Sequence, residues 1–249
     1  MNLFTPPVEI VREKKASAPQ VSVIVTQYNY AHFLEACLDS ILAQTQEGLE
    51  LVIVDDHSPD DGVGVATRWL ARNGDALAGF RLIRHTKNMG LPYARNTAFA
   101  QASAPYVFVV DADNMLYPTA VARCLEAIKA SGAAAAYTQL EFFGDRSGIG
   151  LADFWSKERF KRGNYIDAMA LVAKSAWEKV GGYTQLAARG WEDYDFWCKF
   201  IEHDLRAVFV PEMLCRYRWH GKSMSQTETL PDAPALILEM SMRHPWLEL

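Results

Sequence analysis

VSVIVTQYNYAHFLEACLDSILAQTQEGLELVIVDD, residues 21–56, reads as strand, helix, strand. VSVIV (21–25) is a run of β-branched residues without polar alternation, the mark of a strand buried on both faces and so of a parallel sheet. From Ala31 to Ala43 the apolar residues Phe33, Leu34, Cys37, Leu38, Ile41 and Leu42 recur at helical spacing, and LELVIV (49–54) is a second strand ending in Asp55-Asp56. Further along, a helix around Trp69-Leu70, a strand at FRLI (80–83), and a helix opened near Pro92 repeat the unit. YVFVV (106–110) then stops at Asp111-Ala112-Asp113, and a helix begins at Pro118 with Val121, Cys124, Leu125 and Ile128 on one side. The alternation predicts an α/β fold on an open sheet.

After Ala133 the pattern becomes mixed. Strands are expected at AAAYTQLEFF (134–143), AMALV (168–172), RAVFV (206–210) and MLCRYRW (213–219), with a short helix before Gly181-Gly182 and a longer one from Trp191 to His203. No repeat or low-complexity linker divides the 249 residues, so a single domain is expected. With 50% hydrophobic residues and a net charge of −5, from 25 basic and 30 acidic side chains, the chain is neither disordered nor basic enough for nucleic acid to be its main partner. The four cysteines form no CxxC pair, which points to a reducing, cytoplasmic compartment. No apolar run approaches the roughly 18 residues that span a bilayer, and the first residues lack a signal-peptide core, so membrane contact is expected to be peripheral at most.

Ligands of open α/β sheets bind beyond the carboxyl ends of the strands. Those ends are Thr26-Gln27-Tyr28-Asn29, Asp55-Asp56-His57-Ser58 and Asp111-Ala112-Asp113, a set of acids and hydroxyls that would repel one another without a cation or hydrogen-bonding ligand. Asp111 and Asp113 are two apart and share one side of an extended segment, which suits either a divalent cation beside a phosphate or a pair of turn and capping aspartates. Asp55 and Asp56 point to opposite faces, so one of them is expected in the cleft. The TQYNYA turn has no GxGxxG, which removes a dinucleotide-binding dehydrogenase.

Taken together, VSVIVTQYNYAHFLEACLDSILAQT, LVIVDDHSPDDG, HTKNMGLPYARNTAFAQASAPYVFVVDADN, VGGY and GWEDYDFWCKF resemble the ordered signatures of family 2 glycosyltransferases of the GT-A fold, over Val21 to His220. The resemblance implies a Rossmann-like mixed sheet flanked by helices. It divides the chain into an extension (1–20), a nucleotide-sugar-binding half (21–130), an acceptor and catalytic half (131–225) and a tail (226–249). It implies a metal-dependent, inverting transfer of a hexosyl or N-acetylhexosaminyl group from a nucleoside diphosphate sugar, with UDP favoured, to a hydroxyl of a growing glycan or lipid-linked acceptor. A chain that binds the nucleotide sugar without turnover is the alternative.

The same resemblance assigns residues. Thr26, Tyr28 and Asp56 would hold the base, with the Asp56 carboxylate accepting a hydrogen bond from it. Asp113 would bind the Mn²⁺ or Mg²⁺ that bridges the diphosphate, with Asp111 near the ribose or in the metal's water shell. Arg95 would face the diphosphate, or else be an exposed helical arginine. His220, in RYRWHGKSMS, would complete the metal site, or else be a surface residue. Asp193 would be the catalytic base, with Glu192 positioning the site or touching the acceptor, although both also suit a helix N-terminus. Gly182 of VGGY and Trp191 are the acceptor-side candidates, Trp191 by stacking on a sugar ring, with Trp155 weaker. Arg216 and Arg218 share a strand face, toward phosphate or toward solvent. The family often has an acid after the Gly-Gly-aromatic turn, where Thr184-Gln185 stands here, and residues 144–164 match no signature and are expected to carry acceptor identity.

Overall fold

The computed structural model describes residues 6–221, 223, 227 and 229–249. Within the RYRWHGKSMS segment and the tail, positions 222, 224–226 and 228 lie outside the described residues. Among the described residues ten strands form one sheet. Its centre is the parallel set β4 (Gly79–His85), β3 (Glu50–Asp55), β2 (Val21–Gln27) and β5 (Tyr106–Asp111), in that spatial order. On the far side of β5 lie β9 (Ala170–Ala173), antiparallel to both neighbours, then β7 (Ala135–Gly144), β10 (Ala207–Trp219) and the short β6 (Met115–Leu116). β8 (Gly148–Ile149) pairs with β7 off this path.

Period-two alternation divides the core in two. Val21, Val23 and Val25 of β2 face one side of the sheet with α1 (Ala31–Leu42), α2 (Gly62–Asn73) and α4 (Ala120–Ser131). Ile24 faces the other side with α3 (Leu91–Gln101), α6 (Lys174–Lys179), α7 (Glu192–Glu202) and α8 (Ala233–Arg243). Every residue of β2 and β3 is buried, as unbroken apolar runs require when helices cover both faces. α5 (Lys157–Phe160) is a single turn within the unmatched 144–164 stretch.

Three elements differ from the sequence reading. The 1–20 extension contributes β1 (Val8–Lys14), which pairs antiparallel with β4 and completes the sheet edge. RAVFV and MLCRYRW are one strand, β10, whose register shifts between Val210 and Cys215 accommodate Pro211, a residue that cannot donate to the ladder. The tail forms α8, seated by Leu236 and Met240 in the same core as α7. All four cysteines are free and buried, and among the described residues no helix is long and apolar enough to cross a membrane.

Parallel register brings the strand ends to one edge. Thr26 is the Cα partner of Asp111 and Gln27 of Asp55. β9 runs the opposite way, so the loop before it, not the one after it, arrives at that edge.

Candidate active site

A cleft of about 960 Å³ lies along this edge. Thr26, Tyr28, Asp56, Arg95, Asp111, Asp113, Trp191, Glu192 and Asp193 all line it.

At one end Tyr28 is 45% exposed, so its ring is open to a ligand and does not pack in the core. Asp56 is buried and held from three directions: Oδ1 pairs with His85 Nδ1 at 2.6 Å and accepts Met89 N–H at 2.9 Å, and Oδ2 accepts Gly90 N–H at 2.7 Å. Asp55 turns away, accepting from Gln27 Nε2 and Ser58 N–H, and is absent from the lining. Asp60 ties the neighbouring loops together through Ala31 N–H and Gly62 N–H. Asn88 donates to the Asp56 carbonyl, holding its own turn against the end of β3.

In the middle, Arg95 is 2% exposed. Its guanidinium donates to both oxygens of Asp111 at 3.0 and 3.1 Å and to Glu192 Oε1 at 2.7 Å, and stacks over the Tyr183 ring. Burial alone would drive its pKa down, but the two carboxylates more than reverse that, so the group stays charged. Arg95 is therefore no exposed helical arginine: it joins the strand end of β5 to the start of α7. Asp111, expected at a ribose or in a metal's water shell, is committed to this arginine on both oxygens and to the Thr26 hydroxyl at 3.2 Å.

Asp113 is 8% exposed, and its Oδ2 lies 3.1 Å from His220 Nε2. Burial raises the pKa of Asp113, against the opposing hydrogen bond from His220. The His220 ring packs on Tyr30 and Phe33. One carboxylate and one imidazole suit Mn²⁺ better than Mg²⁺, which prefers oxygen ligands alone, provided the remaining positions come from phosphate or water. Among the described residues no group of three or more His, Cys, Asp or Glu side chains is arranged to hold a metal ion, so the protein share of such a site would be this pair. Arg216 and Arg218 occupy the opposite face of β10: Arg216 pairs with Glu141 and Arg218 donates to the Asp113 carbonyl, while Tyr217 and Trp219 face the cleft.

At the other end Trp191 adopts φ 58°, a left-handed conformation that is costly for a bulky residue and that concentrates at functional turns. Glu192 and Asp193 follow directly. Asp193 Oδ2 accepts from Asn164 Nδ2 at 2.9 Å and Oδ1 from the Tyr194 N–H at 2.8 Å. Burial first, then the charges of Glu192 and Asp167, push its pKa up to about 8.

Gly182 is not in the lining. It sits behind α3 with φ 73°, where a Cβ would meet Asn96 Oδ1 at 2.6 Å, so its role is close packing and not acceptor contact. Asn96 explains the turn, bonding Tyr183 N–H, Tyr183 C=O and Trp177 Nε1. Trp155 is likewise outside the cleft, packed on Phe160, Trp197 and Phe200.

Among the cleft residues outside the sequence expectation are Asn164 and Asp167. Strand C-termini were the search rule, and both precede β9, which runs antiparallel; the available signal was an acid, in NYIDAMALV, directly before an apolar strand.

The Glycosyl transferase family 2 profile matches residues 22–185, and the chain belongs to that family. Over 96 residues it is 40% identical to the uncharacterized glycosyltransferase EpsJ of Bacillus subtilis, covering 39% of this chain and 26% of EpsJ. Among solved structures, S. aureus TarS 1–349 in complex with UDP-GlcNAc superposes with a TM-score of 0.70 at 17% identity, covering 84% of this chain and 61% of that one. The mannosyltransferase PcManGT from Pyrobaculum calidifontis, in complex with GDP-Man and Mn²⁺, gives a TM-score of 0.62 at 23% identity, covering 81% and 57%. These likenesses establish the GT-A fold. The chain spans about a quarter to a third of the length of the first curated relatives it matches, at 26% and 34%.

Proposed function

We propose that this protein transfers a hexosyl or N-acetylhexosaminyl group from a nucleoside diphosphate sugar, a UDP-sugar by preference, to an acceptor hydroxyl with inversion. The observation that carries the reading is the Asp111–Arg95–Glu192 bridge, which ties the donor-side and acid-pair motifs into one cleft. Family membership and the nucleotide-sugar complexes of TarS and PcManGT support it.

In this reading the base lies by Tyr28, Thr26 and Asp56, where a fixed carboxylate accepts a ring N–H. Asp113 and His220 would hold a divalent cation, which when bound would offset the charge of the departing diphosphate. Asp193 takes the proton of the acceptor hydroxyl as that oxygen bonds the anomeric carbon and the bond to the diphosphate oxygen breaks, the electron pair leaving with the nucleotide. The raised pKa of Asp193 makes its ionised form a stronger base than an ordinary carboxylate. Asn164 orients that carboxylate, and Trp191 walls the acceptor side. Glycan and lipid-linked acceptors both suit this chemistry, in a reducing compartment compatible with four free thiols.

The test is calorimetric titration of UDP, GDP, dTDP and CMP in Mn²⁺ and in EDTA, on the wild type and Asp113→Ala. One nucleotide should bind tightly in Mn²⁺, with the variant weakened only when the metal is present. Equal affinity of the two proteins in Mn²⁺ sinks the metal assignment, and binding without any transfer by the wild type favours a scaffold.

A further inference from the structure

Asp167 enters the cleft from a loop outside the motifs that carry the family likeness. Its Oδ1 accepts the Met169 N–H at 2.8 Å, which fixes the carboxylate, and among the described residues no donor reaches Oδ2. It lines the same cleft as Asp113 and Asp193. Burial first, then the charges of Asp111 and Asp113, together raise its pKa to about 6 against the opposing Arg95, and its own charge is felt by Asp193. At neutral pH it is mostly ionised.

In the function proposed above, on which this inference rests, the transferred sugar lies between the diphosphate at Asp113 and the base at Asp193. Asp167 borders that stretch. The surrounding wall is mainly acidic, with Asp111, Glu192 and Asp193 against two arginines: Arg95, buried and already engaged by Asp111 and Glu192, and Arg189, which lines the cleft from an exposed position. A neutral sugar offers hydroxyl protons to such a wall. A uronic acid would bring a second carboxylate against it with no buried cation left to meet it.

We propose that Asp167 is a specificity-determining residue for the transferred sugar: its free oxygen accepts sugar hydroxyls and its charge excludes uronic acid donors, so the site takes neutral hexoses or N-acetylhexosamines.

The experiment measures affinities of UDP, UDP-glucose, UDP-N-acetylglucosamine and UDP-glucuronate in Mn²⁺, with GDP, GDP-mannose and GDP-mannuronate run in parallel, for wild type, Asp167→Asn and Asp167→Ala. The wild type is expected to bind the uronate donor at least about tenfold more weakly than the best neutral donor of the same nucleotide, which is about 1.4 kcal/mol. Both variants should narrow that ratio to about threefold or less, by gaining uronate affinity and losing neutral-sugar affinity, while the free nucleotide binds as before. Loss of fold would lower all affinities together and could not raise that for the uronate. An unchanged ratio in both variants, equal wild-type affinity for both sugar types, or a matching loss for the free nucleotide overturns the proposal. Absence of any nucleotide binding to the wild type overturns the donor reading instead, and is seen before any variant is made.

Discussion

Asp193 and Asp195 stand two residues apart in the first turn of α7, and their surroundings are opposite. Asp195 is fully buried among cations: Lys199 Nζ at 3.0 Å, Arg243 Nε at 2.7 Å and His244 Nε2 at 3.1 Å. Burial would raise its pKa, but the bond to His244 and the charges of Lys199 and Arg243 hold it well below the usual carboxylate range. Asp193 has two neutral donors and two acidic neighbours, and its pKa is raised to about 8. Asp195 is neutralised where it stands, as a structural carboxylate is, whereas Asp193, the base proposed above, is left with its charge unmet. The contrast is testable by exchanging what each acid loses.

The largest effect is expected at Asp193→Asn. Transfer should fall by about 10²- to 10⁴-fold, the range of a general base, with nucleotide affinity intact; an initial-rate assay at wild-type level would remove Asp193 from the role. Thermal stability should not fall. An acid whose folded pKa is raised binds more protons folded than unfolded, so the wild type loses stability as pH climbs from about 4 to about 8, and the asparagine variant should gain on it across that window. Asp195→Asn should do the reverse. Removing the charge of this fully buried carboxylate from the half-buried Lys199, the buried His244 and the exposed Arg243 costs about 3 kcal/mol, a Tm drop on the order of 10 °C for a chain of this size, while the surviving folded fraction keeps its turnover. A calorimetric scan showing an unchanged Tm would break the comparison.

A smaller effect separates Asp193 from its neighbours. In the proposed role Asp193 must be ionised to accept a proton, so kcat should rise with pH through its pKa. Asp167 is among the charges raising that pKa. In Asp167→Asn the acidic limb of the kcat profile should therefore move to lower pH; a limb that stays put, or moves up, would show that the two carboxyls do not sense each other during turnover.

The comparison also marks what the sequence could tell. The parallel strands were legible because VSVIV and YVFVV are unbroken apolar runs, and the cleft edge because Thr26, Asp56 and Asp113 end or follow parallel strands in register. Arg95 was legible as a cleft residue but not as the link between Asp111 and Glu192, since sequence spacing carries no information about a contact 97 positions away. Gly182 was misjudged because a turn glycine reads alike whether it faces a ligand or, as here, the Asn96 amide. Asp167 was missed because β9 reverses direction, and strand direction follows from pairing, which local pattern does not encode. Nor did the pair Glu192-Asp193 announce that Asp195, equally acidic and on the same turn, would face the opposite way; besides Lys199, one turn on, the groups that claim it come from the tail, 48 and 49 residues later.

That tail supplies the smallest effect. His244 lies between Asp195 and Glu202, its Nδ1 2.7 Å from Glu202, with 2% of the side chain exposed. Burial lowers its pKa, but the two carboxylates outweigh that and the net shift is upward. A histidine whose folded pKa is raised contributes stability that is fully present below its unfolded value of about 6.5 and is lost as pH rises through the folded value. Glutamine can keep a hydrogen bond but never the charge. His244→Gln should therefore cost about 1–2 kcal/mol at pH 5.5, and the gap to wild type should close as the pH rises past the folded pKa of His244. Urea midpoints at pH 5.5, 7 and 8.5 measure it. A gap that is constant with pH would mean that His244 holds Asp195 as a neutral ring, leaving Lys199 and Arg243 to neutralise that carboxylate.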